Sequence, residues 1–298
     1  MTDSKDKDMV ITSARAPLSR VDVGEVQLAV RHHPGRGTPI LFIHGSFDDH
    51  QGWDEVIAAL PASVANPLIV YDRRGHSAST DTPGQGVLSQ DIADAAALIR
   101  SLTDGQAHVV GHSYGASIAI GLAATEPELA ASLVLYEPPL FGMLEAAPDF
   151  AEGRATLKTT MQAAAKHLVA GRLEAGTTLF VEAVAFGPGS WAAFDDRTRA
   201  CMLANAETWL DQSRDPERLA VDPAGLEHFA GLKTLVGGTA SLPAFRLTNE
   251  LIRKQLSAAR ERLVDGAGHG GIFSHGSEVA AVIAEHLEES GASGRRAT

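Results

Sequence analysis

The chain is poor in cysteine and in aromatic residues. Its 298 residues include one cysteine, Cys201, which cannot form a disulfide within the chain, so nothing in the sequence requires an oxidising compartment. Aromatic residues make up 5% of the chain, and this scarcity gives no indication of a flat substrate. A small scaffold held together by disulfides is therefore excluded.

Basic clusters and long apolar runs are also missing. No basic run is longer than Arg73-Arg74 and the formal net charge is -12, which excludes a nucleic-acid partner and an anionic membrane partner. The polar N-terminus lacks the apolar core of a signal peptide, and no stretch reaches the length of a membrane span. We therefore expect a cytoplasmic protein that acts on a small molecule. Whether the protein forms a homodimer is left open by the sequence.

Apolar residues, at 44% of the chain, are abundant enough for a sizeable core. Continuous apolar runs at 39–43 and 67–71 predict buried parallel strands, whereas residues 25–30 alternate like a half-exposed strand. Further strands are predicted at 108–110, 132–136, 233–236 and 262–264, and helices at 53–60, 89–102, 244–256 and 277–288. This alternation predicts an α/β fold with a doubly wound, mostly parallel sheet.

One long segment interrupts the alternation. Residues 140–227 contain no convincing strand and show helical spacing, which predicts a helical insertion. Most of its aromatic residues are expected to pack a core of its own: Phe180, Phe186, Trp191, Phe194 and Trp209. The predicted organisation is a flexible lead at 1–16, a core formed by 17–139 and 228–289, the insertion, and a flexible tail at 290–298.

The most informative motif is Gly111-His112-Ser113-Tyr114-Gly115, which follows an apolar strand and precedes a small, apolar helix. This G-x-S-x-G pattern is typical of a nucleophile elbow, in which a sharp strand-to-helix turn exposes a serine hydroxyl. Glycines are needed on both sides because side chains there would collide in so tight a turn. The motif predicts Ser113 as a nucleophile.

Four motifs in order resemble those of the α/β-hydrolase superfamily. They are His44-Gly45, the run from Asp72 to Ser77, the Ser113 elbow, and Gly268-His269 after the last strand. The resemblance covers nearly the whole chain and implies an α/β-hydrolase sheet with a helical cap inserted after strand six. It also implies hydrolytic chemistry without a cofactor, and the sequence shows no evident metal site.

A serine hydroxyl needs a neighbouring base, and His269 is the best candidate among twelve histidines. It lies in a glycine-rich loop that leaves the final strand and can bring an imidazole over the edge of the sheet. His275 and His286 are weaker candidates because of their positions after this loop. His112, beside the nucleophile, is expected to be structural and to lie at the substrate site.

The acid departs from the commonest family pattern, which places an aspartate after strand seven. Here that turn, residues 236–243, holds no carboxylate, whereas Glu137 follows the strand at 132–136. Functional groups of α/β folds gather at such strand ends. Certain haloalkane dehalogenases and the fungal zearalenone lactonases likewise place the acid after strand six. Glu137 is therefore the predicted acid, and Asp72 and Asp265 remain the alternatives, with Asp72 the more plausible as a structural residue.

The oxyanion of an acyl-transfer intermediate needs two backbone N–H donors. The elbow supplies Tyr114, and by resemblance the second donor is Ser46, with Phe47 as runner-up. Side chains predicted to contact substrate are Phe47, His112, Trp191 and Phe194.

Several polar residues lie beside these motifs. Asp48, Asp49 and His50 are expected to be solvated, with contact to a polar substrate group as the alternative. Arg73 and Arg74 are expected on a solvated face, with contact to an anionic substrate as the alternative.

These residues predict a carboxylic ester hydrolase that works through an acyl-enzyme, with Ser113 as nucleophile, His269 as base and Glu137 as acid. A lactone is an attractive substrate only by analogy with the lactonases. A carbon–carbon bond hydrolase, a cofactor-free perhydrolase and a slow-turnover ligand receptor remain alternatives on the same triad.

Overall fold

The computed structural model describes residues 16–82 and 84–294. The predicted flexible lead at 1–16 lies outside these residues except for Ala16. Of the predicted tail at 290–298, the last four residues also lie outside them, whereas 290–294 continue the final helix. That helix extends beyond its predicted end at residue 288. The last turn lacks the apolar repeat from which a helix is predicted.

Eight strands form one sheet, and the predicted mostly parallel α/β architecture is confirmed. The order across the sheet is β1-β2-β4-β3-β5-β6-β7-β8, and the strands from β3 to β8 run parallel. Only the β1–β2 and β2–β4 pairs of this described sheet are antiparallel. The strands are β1 Leu18–Asp22, β2 Gln27–His33, β3 Ile40–Ile43, β4 Leu68–Tyr71, β5 Ala107–His112, β6 Ala130–Tyr136, β7 Leu232–Gly238 and β8 Arg260–Val264.

Strand β1 is the one strand that the sequence does not predict. It lies at the edge of the sheet, and four of its five residues are exposed. An exposed edge strand carries little of the apolar periodicity from which buried strands are predicted.

Two helical layers cover the sheet. The helices are α1 Asp54–Ala58, α2 Leu88–Leu102, α3 Tyr114–Thr125, α4 Ala151–Val169, α5 Leu173–Phe180, α6 Ser190–Ala193, α7 Asp196–Ala204, α8 Ala206–Arg214, α9 Pro243–Gln255, α10 Gly271–Ser274 and α11 Gly276–Gly294. Strand β3 shows how the sheet divides the core: Leu41 and Ile43 pack with α2, α3 and α9, whereas Ile40 and Phe42 pack with α1, α10 and α11. The strand period of two thus supplies two cores from one continuous apolar run.

Helices α4 to α8 all lie between β6 and β7, together with short 3-10 turns and a π-helical turn at Val181–Ala185, and the described residues of this segment include no strand. They share a third apolar cluster built around Trp209 and Met202. Phe47 enters this cluster from the loop after β3 and stacks on Trp209 with ring centroids 5.7 Å apart. The helical segment is therefore anchored directly beside the predicted oxyanion loop.

None of the helices within the described residues has the length and apolar character needed to cross a membrane.

Candidate active site

Ser113 lies at the turn between β5 and α3, near the middle of the sheet. Its backbone has φ 53° and ψ -123°, a conformation rarely adopted by residues with side chains. A Cβ on Gly111 would lie 2.5 Å from the carbonyl oxygen of Gly115, and one on Gly115 would lie 2.2 Å from that of Ile43. Both glycines are therefore required by backbone contacts, as the elbow pattern predicts.

His269 and Glu137 lie next to Ser113 in space. His269 Nε2 is 2.9 Å from Ser113 Oγ, and His269 Nδ1 is 2.9 Å from Glu137 Oε2. A carboxylate only accepts hydrogen bonds, so Nδ1 carries the proton and Nε2 accepts from the serine hydroxyl. Three residues from separate segments thus form a continuous hydrogen-bonded chain with the geometry that nucleophile, base and orienting acid require.

Glu137 is the first residue after β6 and has φ 46°. Its side chain is 1% exposed, and its second oxygen, Oε1, accepts hydrogen bonds from Gly238 N–H at 2.9 Å and from Ser241 Oγ–H. Gly238 is the last residue of β7 and Ser241 lies in the turn that follows, which lacks a carboxylate of its own. The end of β7 and its turn therefore donate hydrogen bonds to Glu137, the acid at the end of the neighbouring strand β6.

The His269 ring is held from several sides. Phe245, near the start of α9, stacks on it with ring centroids 3.8 Å apart and planes inclined by 19°. His112 Nε2–H donates to the His269 backbone carbonyl at 2.9 Å, and Tyr136 donates to the Gly268 carbonyl at 2.7 Å. Burial, and then His269, lowers the pKa of His112 to about 3, which keeps His112 neutral. Nothing in the sequence indicated that Phe245 contacts His269, because an apolar residue in an amphipathic helix ordinarily packs in the core.

The rival acids are engaged elsewhere. Asp72 Oδ1 accepts from both His50 N–H and His50 Nδ1–H, and its Oδ2 accepts from Ala78 N–H at 3.0 Å. Asp265 accepts from the Thr239 hydroxyl at 3.2 Å. Neither carboxylate hydrogen-bonds to His269.

The rival bases also hydrogen-bond to residues other than Ser113 and Glu137. His275 contacts the Ser274 hydroxyl, and His286 bonds to Ser132 and Thr234. Among the described residues, only His269 of these three histidines hydrogen-bonds to Ser113.

Ser46 and Tyr114 bring the predicted oxyanion donors to the elbow. A Cβ on Gly45 would lie 3.0 Å from the Ser113 Cβ, so glycine lets the Ser46 loop approach the nucleophile closely. The Ser46 hydroxyl donates to Gln212 in α8 at 2.6 Å. Within the described part of the chain, the backbone N–H groups of Ser46 and Tyr114 have no protein acceptor. Their role as an oxyanion hole stays a prediction.

The expectation that Arg73 and Arg74 lie on a solvated face is wrong. Arg73 is 1% exposed, pairs with Asp91 at 3.1 Å, and donates from Nη2 to the Gly45 carbonyl at 3.1 Å. Arg74 pairs with Asp94 at 2.7 Å. Both carboxylates come from α2, which no local pattern around the arginines could indicate.

The expectation that Asp48, Asp49 and His50 are solvated is also wrong. All three are buried, because helices α7 and α8 cover this loop. His50 is bonded to Asp72, and Asp49 caps the short helix at His50–Trp53 by accepting from Gln51 N–H. Asp48 Oδ2 accepts no hydrogen bond from the residues that the structure describes.

A small cavity of about 10 Å³ opens beside Ser113 and His269. We call it the catalytic cavity, and Phe47, His112, Phe180, Phe186 and Met202 line it together with the two polar residues. Two of the four predicted substrate contacts, Phe47 and His112, therefore line the catalytic cavity, and their contact with a substrate stays a prediction.

The other two predicted contacts, Trp191 and Phe194, do not line the catalytic cavity. Trp191 packs against the cluster of the helical segment. Phe186 stands between Phe194 and the catalytic histidine candidate, with ring centroids 5.3 Å from Phe194 and 5.7 Å from His269.

Two groups of residues within the described chain have ligand-type atoms close enough to hold a metal ion. They are Asp48 with Asp49 and Cys201, and Asp49 with His50 and Asp72. The second group is already hydrogen-bonded internally, and neither group includes a residue of the Ser113 chain.

Comparison with known proteins places these features in context. A model of the alpha/beta hydrolase family matches residues 40–282. Lipase LipV of Mycobacterium tuberculosis is 28% identical over 273 residues, covering 86% of this chain and 96% of the lipase. The 2-(acetamidomethylene)succinate hydrolase of Mesorhizobium japonicum is 39% identical over 119 residues, which is 40% of this chain and 41% of that relative.

A crystal structure of a carboxylesterase from the thaumarchaeon Nitrososphaera gargenis superposes with a TM-score of 0.71 over 93% of this chain and 100% of that chain. Its sequence identity is 16%, so the likeness shows the fold alone.

Proposed function

The chain belongs to the alpha/beta hydrolase family, and on that premise we propose that it hydrolyses a carboxylic ester or lactone through an acyl-enzyme. The observation that carries the proposal is the hydrogen-bonded chain from Ser113 through His269 to Glu137, with both contacts at 2.9 Å. Such a chain activates a hydroxyl that is a weak nucleophile on its own.

In the acylation step, Ser113 Oγ attacks the carbonyl carbon while His269 Nε2 accepts the hydroxyl proton. The negative charge that develops on the carbonyl oxygen is stabilised by the Ser46 and Tyr114 N–H groups, a contribution of about 3 to 4 kcal/mol per donor in comparable sites. Glu137 stabilises the imidazolium, and its own charge is held by Gly238 and Ser241.

Collapse of the intermediate breaks the bond to the alkoxy group, which takes its proton from His269. Water then attacks the acyl-enzyme, gives a proton to His269 and releases the carboxylic acid, so that Ser113 regains its hydrogen. In a lactone the two products remain one hydroxy acid.

An ester is favoured by one observation: a relative that matches over nearly its full length is named a lipase. The carbon–carbon bond hydrolase, perhydrolase and receptor alternatives use the same three residues and are separated from it by turnover measurements.

The test compares hydrolysis of p-nitrophenyl esters of increasing chain length, and of a small and a macrocyclic lactone, by the unaltered protein and by Ser113→Ala. We expect steady turnover of at least one substrate, and a loss of about 1,000-fold or more in the variant. Ser101→Ala, an exposed serine on α2, is the matched control and should keep full activity.

A variant Ser113→Ala that keeps more than a few per cent of the activity would refute Ser113 as nucleophile. A single turnover followed by a stall would favour the receptor, and cleavage of diketones but of no ester or lactone would favour carbon–carbon bond hydrolysis.

A further inference from the structure

A second and much larger cavity lies beside the catalytic cavity. It has a volume of about 370 Å³ and lies between the loop after β3 and helices α6 and α7. Its lining includes four carboxylates and one guanidinium, and we call it the acidic cavity: Asp48, Asp54, Glu55, Asp195 and Arg197, with the rings of Phe194 and Phe273. Its volume would hold a small organic ligand, and its charge favours a cation.

The acidic cavity extends from the surface to a buried carboxylate. Glu55, Asp195 and Arg197 are exposed at its outer end, whereas Asp48 is 7% exposed. A Cβ on Gly52 would lie 2.0 Å from Asp48 Oδ2, so a glycine is needed to accommodate the carboxylate where it lies.

Asp48 has the properties of a group that lacks its partner. None of the described residues donates a hydrogen bond to its Oδ2. Burial, followed by the neighbouring Asp49 carboxylate, raises the pKa of Asp48 to about 8, although the Asp49 N–H and Arg197 oppose the rise. A buried carboxylate oxygen without a hydrogen-bond partner lowers the stability of a fold. A positively charged ligand in the acidic cavity would supply the missing partner.

Two aromatic rings complete the lining. Phe194 and Phe273 lie edge to face, with centroids 6.0 Å apart and planes inclined by 79°, and both line the acidic cavity. Aromatic rings attract cations through their faces, and a carboxylate combined with aromatic walls is the usual environment of a bound alkylammonium group.

The two cavities share a wall. Phe47 and Met202 line the catalytic cavity, whereas their chain neighbours Asp48 and Cys201 line the acidic cavity. Phe186 contacts Phe194 on one side and His269 on the other. One layer of side chains therefore separates the acidic cavity from the reacting groups.

From these contacts we propose that the acidic cavity binds an organic ammonium group, with the Asp48 carboxylate as its counterion and Phe194 and Phe273 as its aromatic walls.

A divalent metal is the competing ligand, because Asp48, Asp49 and Cys201 offer ligand atoms within 4.8 Å of one another. However, Asp49 already accepts from Gln51 N–H at 2.8 Å and pairs with Arg197 at 3.5 Å. Burial raises the pKa of the Cys201 thiol, which opposes the thiolate form that binds metals. The contacts favour the ammonium group.

The binding test uses tetramethylammonium chloride and its neutral isostere tert-butanol, titrated into Ser113→Ala at constant ionic strength and pH 8.5, with NMR or calorimetric detection. The Ser113→Ala background makes the result independent of catalysis. We expect the cation to bind at least about tenfold more tightly than the alcohol, and Asp48→Asn to weaken cation binding at least about tenfold.

Two further variants keep the test decisive if Asp48→Asn folds poorly. Arg197→Gln removes the cationic side chain found among the described lining residues and should tighten binding by about threefold, since that side chain is exposed and screened. Asp104→Asn, an exposed carboxylate on the loop after α2, carries the same charge change and should have no effect.

Equal affinities for the cation and the alcohol would overturn the proposal, as would an Arg197→Gln variant that binds the cation no more tightly. Thermal stabilisation by zinc chloride, without any by tetramethylammonium, would show that the cavity is a metal site instead.

Discussion

Glu137 and Asp48 are both buried carboxylates beyond the ends of parallel strands, at the same edge of the sheet, yet their surroundings differ. Glu137 follows β6 and accepts hydrogen bonds from His269, Gly238 and Ser241. Asp48 follows β3 by a short loop, and its Oδ2 accepts from none of the described residues. The protein itself donates the hydrogen bonds to Glu137, whereas the proposed ligand would supply the partner of Asp48.

The difference shows how one fold uses similar groups for different tasks. A carboxylate that must orient a histidine in every cycle gains from fixed donors, because its position is then set before the substrate arrives. A carboxylate that must exchange partners with a ligand cannot be satisfied in advance, and the protein is less stable as a result.

The largest expected effect comes from breaking the partnered carboxylate. Glu137→Gln places an amide next to His269 Nδ1, where it cannot stabilise an imidazolium and can favour the wrong tautomer. We expect kcat/KM for the best p-nitrophenyl ester to fall by about 100-fold or more, with the fold retained in circular dichroism.

The controls are the two rival acids. Asp265→Asn should keep its activity, because Asp265 contacts only the Thr239 hydroxyl among the described residues. Asp72→Asn should lower the melting temperature, because Asp72 accepts two hydrogen bonds from His50 in the loop after β3 and one from Ala78 in its own turn. If Asp72→Asn loses more turnover than Glu137→Gln, the acid has been assigned to the wrong residue.

A smaller effect is expected from weakening the support of Glu137. Ser241→Ala removes one of the two donors to Glu137 Oε1, so we expect kcat to fall by about tenfold while KM stays unchanged. Ser241→Thr keeps a hydroxyl and should restore most of the loss. Equal kcat values for the Ala and Thr variants would show that the hydroxyl has no positioning role.

The smallest expected effect concerns stability at the unpartnered carboxylate. Since the pKa of Asp48 is raised from 3.8 to about 8, the folded protein keeps a proton between these values that the unfolded chain loses. Stability therefore falls as the pH rises through this window. Asp48→Asn has no carboxylate to ionise at this position, so this loss of stability does not occur in the variant. We expect it to melt about 2 °C or more above the unaltered protein at pH 8.

Differential scanning calorimetry at pH 5 and pH 8 measures this effect, and the advantage of Asp48→Asn should be larger at pH 8. An advantage that is the same at both pH values would contradict an ionisation that opposes folding at this site.

Features set by local pattern could be predicted from the sequence. The apolar runs at β3 and β4 predicted buried strands, and the glycine spacing of the elbow, between an apolar strand and a small apolar helix, predicted Ser113. Glu137, which follows β6, could be predicted as the acid because the turn after β7 holds no carboxylate. In each case the decisive residues lie close together in the chain or at the ends of predicted strands.

Features set by distant partners could not be predicted. Arg73 is buried because α2 supplies Asp91, and Asp48 is buried because the helical segment covers its loop. Phe245 looks like any residue of an amphipathic helix, although it stacks on His269. Polar burial and ring stacking depend on which segments meet in space, and a single sequence does not give those pairings.

Covalent labelling with a fluorophosphonate, located by peptide mass spectrometry, tests most directly whether Ser113 is the activated nucleophile. We expect one adduct, on the peptide that contains Ser113, formed about 100-fold or more slowly in Glu137→Gln because His269 is then a poorer base. An adduct on another serine, or a labelling rate that Glu137→Gln leaves unchanged, would contradict this expectation.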